Sequence, residues 1–357
     1  MDRVLHLFDS QTPPAGLEAM DCLRNRRGGD LAARVGPEGG RADLPVAEGV
    51  IRQPLPWTLT AAPGIRRFAD RQDAKAIHCW SCALAEPAAA IGRPTCVSLF
   101  RPPNSIEAHA LRRTVADGAT VLACSETLAR VLADLGLPAD RVRVVPPSAD
   151  VVRPDPTTRE QARRRLALPA GLCVMISVSQ WDDDIGPYHA LWALGILQQV
   201  SDEFHLLVVG HGSGVERAGR LAETALLAGR TTFVGRSESQ WAWSAADVAV
   251  LADPAGYGVL SACRAAVAGV HIVAAHAGEL ADLLVHEQTA LLAEPSCPRL
   301  LAQAVWRLRQ DEQLSRRLAA NAAASLAGLS DADAFPARME TLYAASRTPC
   351  GATTNRS

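Results

Sequence analysis

The stretch AGYGVLSACRAAVAGVHIVAAHAG, Ala255 to Gly278, decides the fold. Small residues recur through its first part, which predicts a helix that approaches its neighbours closely. HIVAA then predicts a short buried strand that ends just before a glycine. A helix followed by an apolar strand is one part of a βαβ unit, whose strands run parallel. The stretch contains no Asp and no Glu, so it offers no side-chain carboxylate to a ligand.

The same alternation of strand and helix patterns continues along the whole chain. The predicted strands are RVLHLF, AIHCW, TCVSLF, TVLACS and RVRVVP in the first half, and CVMISVS, HLLVVG, TTFVG, VAVLA and HIVAA in the second. Between them, SETLARVLADLG and GELADLLVHE place apolar residues three and four apart, which predicts amphipathic helices. Alternation of this kind predicts an α/β protein with parallel sheets covered by helices on both faces.

The length of 357 residues predicts two domains, because single cores stop growing below that size. At residues 146–171, prolines and charged residues interrupt the regular spacing of apolar residues, which predicts that the link between the two domains lies there. We therefore predict one Rossmann-like, doubly wound domain over 1–160 and a second over 161–346, facing each other across a cleft. Ligands of such sheets bind outside the carboxyl ends of the strands. Residues 347–357 are expected to form a disordered tail.

Composition excludes several classes of function. A formal charge of −2, with 48% hydrophobic and 21% charged residues, is typical of a globular protein and predicts no nucleic-acid partner. The N-terminal MDRVLHLFDS fits neither a signal peptide nor a membrane span, so we expect no transmembrane segment and a cytoplasmic protein. Of the nine cysteines, only Cys79 and Cys82 are closely spaced, and no second pair completes a zinc site. We predict no metal and no cofactor.

One run in the second half suggests a family. Residues 245–295 read AADVAVLADPAGYGVLSACRAAVAGVHIVAAHAGELADLLVHEQTALLAEP. This run resembles the GT-B glycosyltransferases of family 4, retaining enzymes that transfer a sugar from a nucleotide donor. The positions that match are Ala246, Asp247, Gly269, Val273, Gly278, Thr289 and Leu291. Upstream, LLVVGHGSG, ACSETLARVL and RVRVVPPSAD are also similar to family segments. The resemblance implies a GT-B fold and a last helix, around Ala334 to Ala345, that packs back on the first domain.

The chain departs from the family at the residues that normally hold the donor. The two family glutamates, for the donor sugar and the ribose, are replaced by Gly256 and Arg264. The basic pair that faces the diphosphate is replaced by Gln180 and Ile185, with Asp182 to Asp184 between them, and Lys75 is the only lysine of the chain. Further departures are Phe100, in place of a histidine near the sugar, and Pro147, in place of an asparagine. Fixed positive charge stabilises a diphosphate leaving group, so these changes are expected to weaken donor binding and transfer.

Some features of a donor site remain as candidates, although no catalytic residue can be assigned. The candidate donor-binding residues are Gly16, Gly210, Gly212, Arg217, Gly256, Gly258, Arg264 and Glu279. Glycine turns expose backbone amides that bind phosphate, but glycines also end strands for structural reasons. Arg217 and Arg264 are the surrogate cations, and both are expected to reach one pocket. Glu279 is either a surrogate acid or a helix-start acid. His78 is expected to be a hydrogen-bonded strand residue and not a general base.

Three functions stay open from the sequence. The first is a glycosyltransferase-like protein of the hexosyltransferase type, in carbohydrate metabolism, with a remodelled site for a nucleotide-sugar and an unknown acceptor. The second is a non-catalytic GT-B protein that acts as a binding or regulatory partner. Epimerisation of a nucleotide-sugar is the third, and it is disfavoured because it also needs carboxylates beside the diphosphate. The donor, the acceptor and the oligomeric state do not follow from the sequence.

Overall fold

A computed structural model describes residues 3–9, 12–36, 47, 49–52, 61–148, 156–179, 184–235, 238–329 and 333–345. The chain folds into two compact units. The first consists of Met1–Ala149 together with Asp331–Ser357, and the second of Asp150–Ser330. The change of unit at Asp150 lies within the predicted link. The predicted tail, 347–357, lies outside the described residues.

The first unit is a seven-stranded parallel sheet in the order β3-β2-β1-β4-β5-β6-β7. Its strands are β1 Val4–Phe8, β2 Leu31–Gly36, β3 Gly49–Arg52, β4 Ala76–Cys79, β5 Thr95–Leu99, β6 Thr120–Ala123 and β7 Val142–Val144. Its helices are α1 Pro14–Arg27, α2 Ala62–Arg71, α3 Ala85–Ala89, α4 Ser105–Ala116, α5 Glu126–Asp134 and α14 Ala334–Ala345. The last helix contributes Phe335, Met339 and Tyr343 to the core of this unit.

The second unit is a six-stranded parallel sheet in the order β10-β9-β8-β11-β12-β13. Its strands are β8 Cys173–Val178, β9 Phe204–Val209, β10 Thr231–Val234, β11 Val248–Leu251, β12 His271–Ala275 and β13 Leu291–Ala293. Its helices are α6 Pro156–Arg165, α7 Gly186–Leu197, α8 Ser213–Thr224, α9 Ser239–Ala245, α10 Val259–Ala268, α11 Gly278–Leu283, α12 Pro298–Gln310 and α13 Glu312–Leu326. Alternate strand residues divide between two cores, Val174 and Ile176 in one and Cys173 and Met175 in the other.

The predicted fold class is confirmed: both sheets are parallel and doubly wound. All ten predicted strands form, and three further strands, β2, β3 and β13, were not predicted. β2 (LAARVG) and β3 (GVIR) contain alanine or glycine together with an arginine, and β13 has only three residues, so all three give little periodicity. The segment GELADLLVHE is helical only over Gly278–Leu283, because Leu284 is already extended.

Asp247 ties α6 to the sheet of the second unit. Its carboxylate accepts hydrogen bonds from Arg159 at 2.7 Å, from Arg163 at 2.6 Å and from the Val174 amide at 2.8 Å. Its backbone continues the pairing of β11, since its amide donates to Val174 and its carbonyl accepts from His271. The family-like Ala-Asp-Val segment therefore has a structural function, which is to anchor the first helix of this unit.

We expect Asp247→Ala to lower the free energy of unfolding by about 2 kcal/mol, because two arginines and a backbone amide lose a charged acceptor. Asp247→Asn keeps an oxygen for the Val174 amide and should lose about half as much. Chemical denaturation of both variants measures the difference. Equal losses for alanine and asparagine would show that the charge of Asp247 accounts for the whole effect, whereas an asparagine variant as stable as the wild type would show that the charge contributes nothing.

A buried polar network holds the first unit together. The Trp80 indole donates to His6 Nδ1 at 3.1 Å, so His6 carries its proton on Nε2, which lies 3.3 Å from Asp30 Oδ2. His78 Nδ1 lies 2.6 Å from the Tyr343 hydroxyl, and its Nε2 lies 2.8 Å from the Ser98 hydroxyl. Both histidines are fully buried. The network thus joins α14 to β4 and β5 through hydrogen bonds as well as through packing.

Candidate functional site

A cavity of about 420 Å³ opens at the carboxyl ends of β8, β9 and β11 in the second unit. It is lined by Asp184, Ile185, Arg217, Asp253, Pro254, Ala255 and Tyr257. These residues belong to the segments that lead into α7 and α10 and to the first turns of α8. Ligands of parallel α/β sheets bind at this edge, and the amino ends of helices attract anions there. This cavity is the candidate site.

Asp184 is part of the architecture of this cavity. Its side chain is 2% exposed, and Oδ1 accepts a hydrogen bond from the Gly186 amide at 2.7 Å, at the start of α7. The backbone of Asp184 also packs against α8, since a Cβ on Gly214 would lie 2.0 Å from the Asp184 carbonyl oxygen. Its negative charge is therefore partly balanced by a helix terminus. Gln180, Asp182 and Asp183, which the sequence analysis places in the segment that faces the donor diphosphate, lie outside the described residues.

The segment from Asp253 to Gly258 forms the opposite part of the cavity wall. Asp253 is 7% exposed, and its Oδ1 accepts a hydrogen bond from the Ala255 amide at 2.7 Å. Gly256, at φ +74°, brings the backbone against the next loop: a Cβ there would lie 1.9 Å from the Ala277 carbonyl oxygen. A Cβ on Gly278 would in turn lie 2.1 Å from the Ala255 carbonyl oxygen. Two glycines thus permit the contact that fixes this wall.

The two candidate arginines have different environments. Arg217 is exposed on the second turn of α8 and lines the cavity. Arg264 is half-buried on α10 and does not line this cavity. Among the described residues that line it, Arg217 is the one basic side chain. The expectation that both arginines reach one pocket therefore does not hold for this cavity.

Glu279 is buried, at 3% exposure, in the first turn of α11. The close backbone approach in this segment is made by its neighbour Gly278. The Leu280 amide, one residue further, donates to the Gly256 carbonyl at 3.0 Å, which extends the same contact. Glu279 stays a candidate donor residue by sequence alone. The segment from Ala277 to Leu280 supports the cavity wall through its contacts with Ala255 and Gly256.

The other candidate glycines occupy helix starts. Gly212 and Gly258 are the N-cap residues of α8 and α10, and Gly210 directly follows β9, with its amide donating to the Val234 carbonyl. These positions expose amides near the cavity without showing that a ligand uses them. Gly16 belongs to the first unit, within the first turn of α1. A Cβ on Gly16 would lie 3.0 Å from the Phe100 ring, so its small size makes room for that ring.

His78 is confirmed as a structural histidine. Both of its ring nitrogens have hydrogen-bond partners, and burial, with a contribution from His6, holds its pKa well below the usual value. The cysteines of the described residues are free. Burial raises the pKa of the Cys82 thiol to about 12, and it raises that of Cys79 well above the usual value. Neither thiol is a thiolate at neutral pH, which argues against redox chemistry for this pair.

Tyr257 is the cavity residue that sequence reasoning missed. It stands between Gly256 and Gly258 and is half-buried in the cavity wall. The sequence does contain a signal for it, the isolated aromatic residue in AGYG. A large side chain between two glycines stands out from the turn, and here the turn leads from a strand into a helix, where ligands bind. An aromatic side chain and a cation in one cavity wall suit a nucleotide, whose base can stack on the ring while its phosphate meets the cation.

Within the described part of the chain, no group of three or more His, Cys, Asp and Glu side chains is arranged to hold a metal ion. None of the described helices combines the length and the apolar character that crossing a bilayer requires.

Comparison with known families matches both halves of the chain. The family described as "Glycosyl transferases group 1" matches residues 158–325, and the one described as "Glycosyltransferase Family 4" matches residues 21–153. This chain belongs to the family 4-like GT-B glycosyltransferases. The "Glycosyltransferase Family 4" match covers most of the first unit. The "Glycosyl transferases group 1" match covers most of the second unit, which contains the candidate cavity.

Relatives and solved structures agree with this GT-B assignment. The chain is 30% identical over 253 residues to a D-inositol 3-phosphate glycosyltransferase of Nocardia farcinica, covering 66% of this chain and 54% of that protein. A second D-inositol 3-phosphate glycosyltransferase, from Acidothermus cellulolyticus, is 31% identical over 195 residues, covering 51% and 44%. The chain thus spans about half the length of these relatives.

Among solved structures, the GT-B fold is shared with HepE of Anabaena in complex with UDP and glucose, with a TM-score of 0.82 and 18% identity over 97% of this chain and 100% of that chain. Sucrose-phosphate synthase of Thermosynechococcus elongatus gives a TM-score of 0.75 and 18% identity, covering 97% and 99%. At this level of identity the likeness establishes the fold alone.

Proposed function

We propose that this GT-B chain transfers a sugar from a nucleotide-sugar donor, and that the donor binds in the cavity of the second unit. The observation that carries the proposal is the cavity itself, formed by two strand-to-helix segments and the start of α8, with Arg217 and Tyr257 in its wall. A diphosphate would meet the guanidinium of Arg217 and the amide-rich starts of α7, α8 and α10. HepE, which shares the fold, was solved in complex with UDP-glucose.

Asp184 and Asp253 are compatible with such a donor because each carboxylate is buried against a backbone amide. That amide, and for Asp184 the α7 terminus, offset part of the charge that a diphosphate would otherwise meet. Even so, two acids and a single arginine predict a weaker donor site than one with several cations. The proposal involves no metal. The alternative of a non-catalytic GT-B protein is favoured by none of the comparisons, and we treat it as an outcome of the test.

The experiment is a calorimetric titration of purified protein against UDP- and GDP-linked sugars, with and without a chelator. We expect weak binding by at least one donor. Arg217→Ala should weaken it by about tenfold, since a charge-assisted hydrogen bond to phosphate is worth about 1.5 kcal/mol or more. Arg220→Ala, an exposed arginine on the same helix that does not line the cavity, is the matched control and should bind like the wild type.

Activity is measured as release of the nucleoside diphosphate, first with water and then with inositol phosphates as acceptors, since the curated relatives are named for D-inositol 3-phosphate. Release that is lost in Arg217→Ala and kept in Arg220→Ala supports transfer at this cavity. Absence of binding and of release across the whole panel would contradict the proposal and favour the non-catalytic alternative.

A further inference from the structure

The first helix after the candidate cavity, α7, has an unusual surface. Its sequence and the turn after it, residues 185–201, contain no Asp, Glu, Lys or Arg. Helix α8, which packs beside it, carries Glu216, Arg217, Arg220 and Glu223 on its exposed positions. A helix that is apolar all round is normally buried on all sides. In this structure, however, one side of α7 remains exposed.

The exposed side is a continuous ridge, which we call the α7 ridge: Tyr188, Trp192, Ile196 and Val200, spaced four residues apart. Trp192 is 44% exposed, Ile196 37% and Val200, in the turn after the helix, 65%. Tyr188 is half-buried, and its ring centroid lies 6.4 Å from that of Trp192. Large apolar side chains gathered in one exposed patch mark an interaction surface, whereas single ones do not.

A second observation points to the same place. Leu226, at the end of α8, is 91% exposed and has φ +57°, a backbone conformation that strains a branched side chain. The Leu227 amide donates back to Ala222, the arrangement in which a helix ordinarily ends with glycine. The Cδ1 atom of Leu227 lies 3.4 Å from where a Cβ on Gly195 of α7 would be. The chain thus maintains a strained, exposed leucine in a turn that packs on α7.

We propose that the α7 ridge and Leu226 form the contact between two copies of this chain. A two-fold interface has to be complementary to itself, and a face without formal charge meets that condition because no like charges approach. Ridges of residues four apart pack into the grooves of an identical ridge. Attachment to a membrane surface ordinarily uses Lys or Arg beside the apolar face, and residues 185–201 supply neither.

The test is sedimentation velocity of the purified chain over a wide range of concentrations. We expect a monomer–dimer equilibrium whose dissociation constant rises about tenfold in Val200→Lys and in Leu226→Gly. The glycine variant relieves the backbone strain, so its thermal stability as a monomer should be unchanged or higher, which separates a contact role from a folding role. Ile106→Glu, which changes a lone 82% exposed isoleucine on α4, is the control and should dimerise like the wild type.

Three results would overturn the proposal. One is a wild-type chain that stays monomeric at every concentration. Another is a dimer that both variants form as tightly as the wild type. The third is a monomer that floats with neutral or anionic lipid vesicles and loses this property in Val200→Lys, which would assign the ridge to a membrane surface instead.

Discussion

Replacing Gly256 with alanine is expected to destabilise the second unit by about 3 kcal/mol or more. The added Cβ would lie 1.9 Å from the Ala277 carbonyl oxygen and 2.2 Å from its carbon, both of them backbone atoms that no rotamer change can move. The φ of +74° adds strain of its own, since only glycine adopts this region without penalty. One of the two loops therefore has to move, and both support the cavity wall.

The control for this experiment is Gly229→Ala. Gly229 is exposed in the turn before β10, and nothing lies within 4 Å of a Cβ placed there. Its unfolding free energy should stay within about 0.5 kcal/mol of the wild type. Urea denaturation followed by circular dichroism measures both variants. A Gly256→Ala protein as stable as Gly229→Ala would show that the two loops separate at no energetic penalty.

Gly278→Ala tests the same contact from the other side, with its Cβ 2.1 Å from the Ala255 carbonyl oxygen. We expect a loss similar to that of Gly256→Ala. Because both substitutions force the same two loops apart, the double variant should lose less than the sum of the single variants. A strictly additive double variant would mean that the two glycines act in separate contacts.

How much of this site the sequence predicts depends on the range of the interactions involved. The strands with runs of Val, Ile and Leu, such as CVMISV and HIVAA, follow from local pattern, and so do the glycine turns at their ends. The three-residue β13 does not, because LLA is too short to show a period and forms only by pairing with β12. Local pattern therefore predicts the carboxyl edge of the sheet, and the cavity lies at that edge.

The identity of the cavity residues depends on packing between segments distant in sequence. Arg217 and Arg264 had equal standing by sequence, since each follows a glycine turn on a helix, and only the packing of α8 and α10 places one of them in the cavity wall. Asp184 was among the changes expected to weaken donor binding, whereas the fold directs its carboxylate to the Gly186 amide. A run of three aspartates contains no sign of which of them accepts a hydrogen bond from a helix start.

Acidification is expected to lower the stability of the protein through its buried histidines. Burial lowers the pKa of His6, against the opposing effect of Asp30, and lowers that of His78 well below 6.5. Each histidine is neutral when folded and binds a proton on unfolding once the pH is below about 6.5. Their contribution to stability is therefore complete above that pH and is lost progressively as the pH falls towards the lower folded-state values.

The expected slope is about 1.4 kcal/mol per pH unit for each histidine that gains a proton only on unfolding. Asp30, whose pKa is also lowered, acts in the same direction but only below its ordinary value of 3.8, so it does not interfere between pH 7 and pH 5. Urea denaturation at several pH values in this window gives the total slope. That total includes other histidines with lowered pKa values, such as His189, His205 and His271.

His78→Gln isolates the contribution of one histidine. Glutamine does not titrate, and its amide can still meet the hydroxyls of Tyr343 and Ser98, so the variant is expected to fold with some loss of stability at pH 7. The decisive quantity is the difference between the two pH profiles, in which every other titrating group cancels. We expect the variant's slope between pH 6.5 and pH 5 to be shallower by about 1.4 kcal/mol per pH unit. Parallel profiles would mean that His78 binds its proton as readily in the folded protein as in the unfolded one, so that its site beside Tyr343 and Ser98 accepts an imidazolium inside the core.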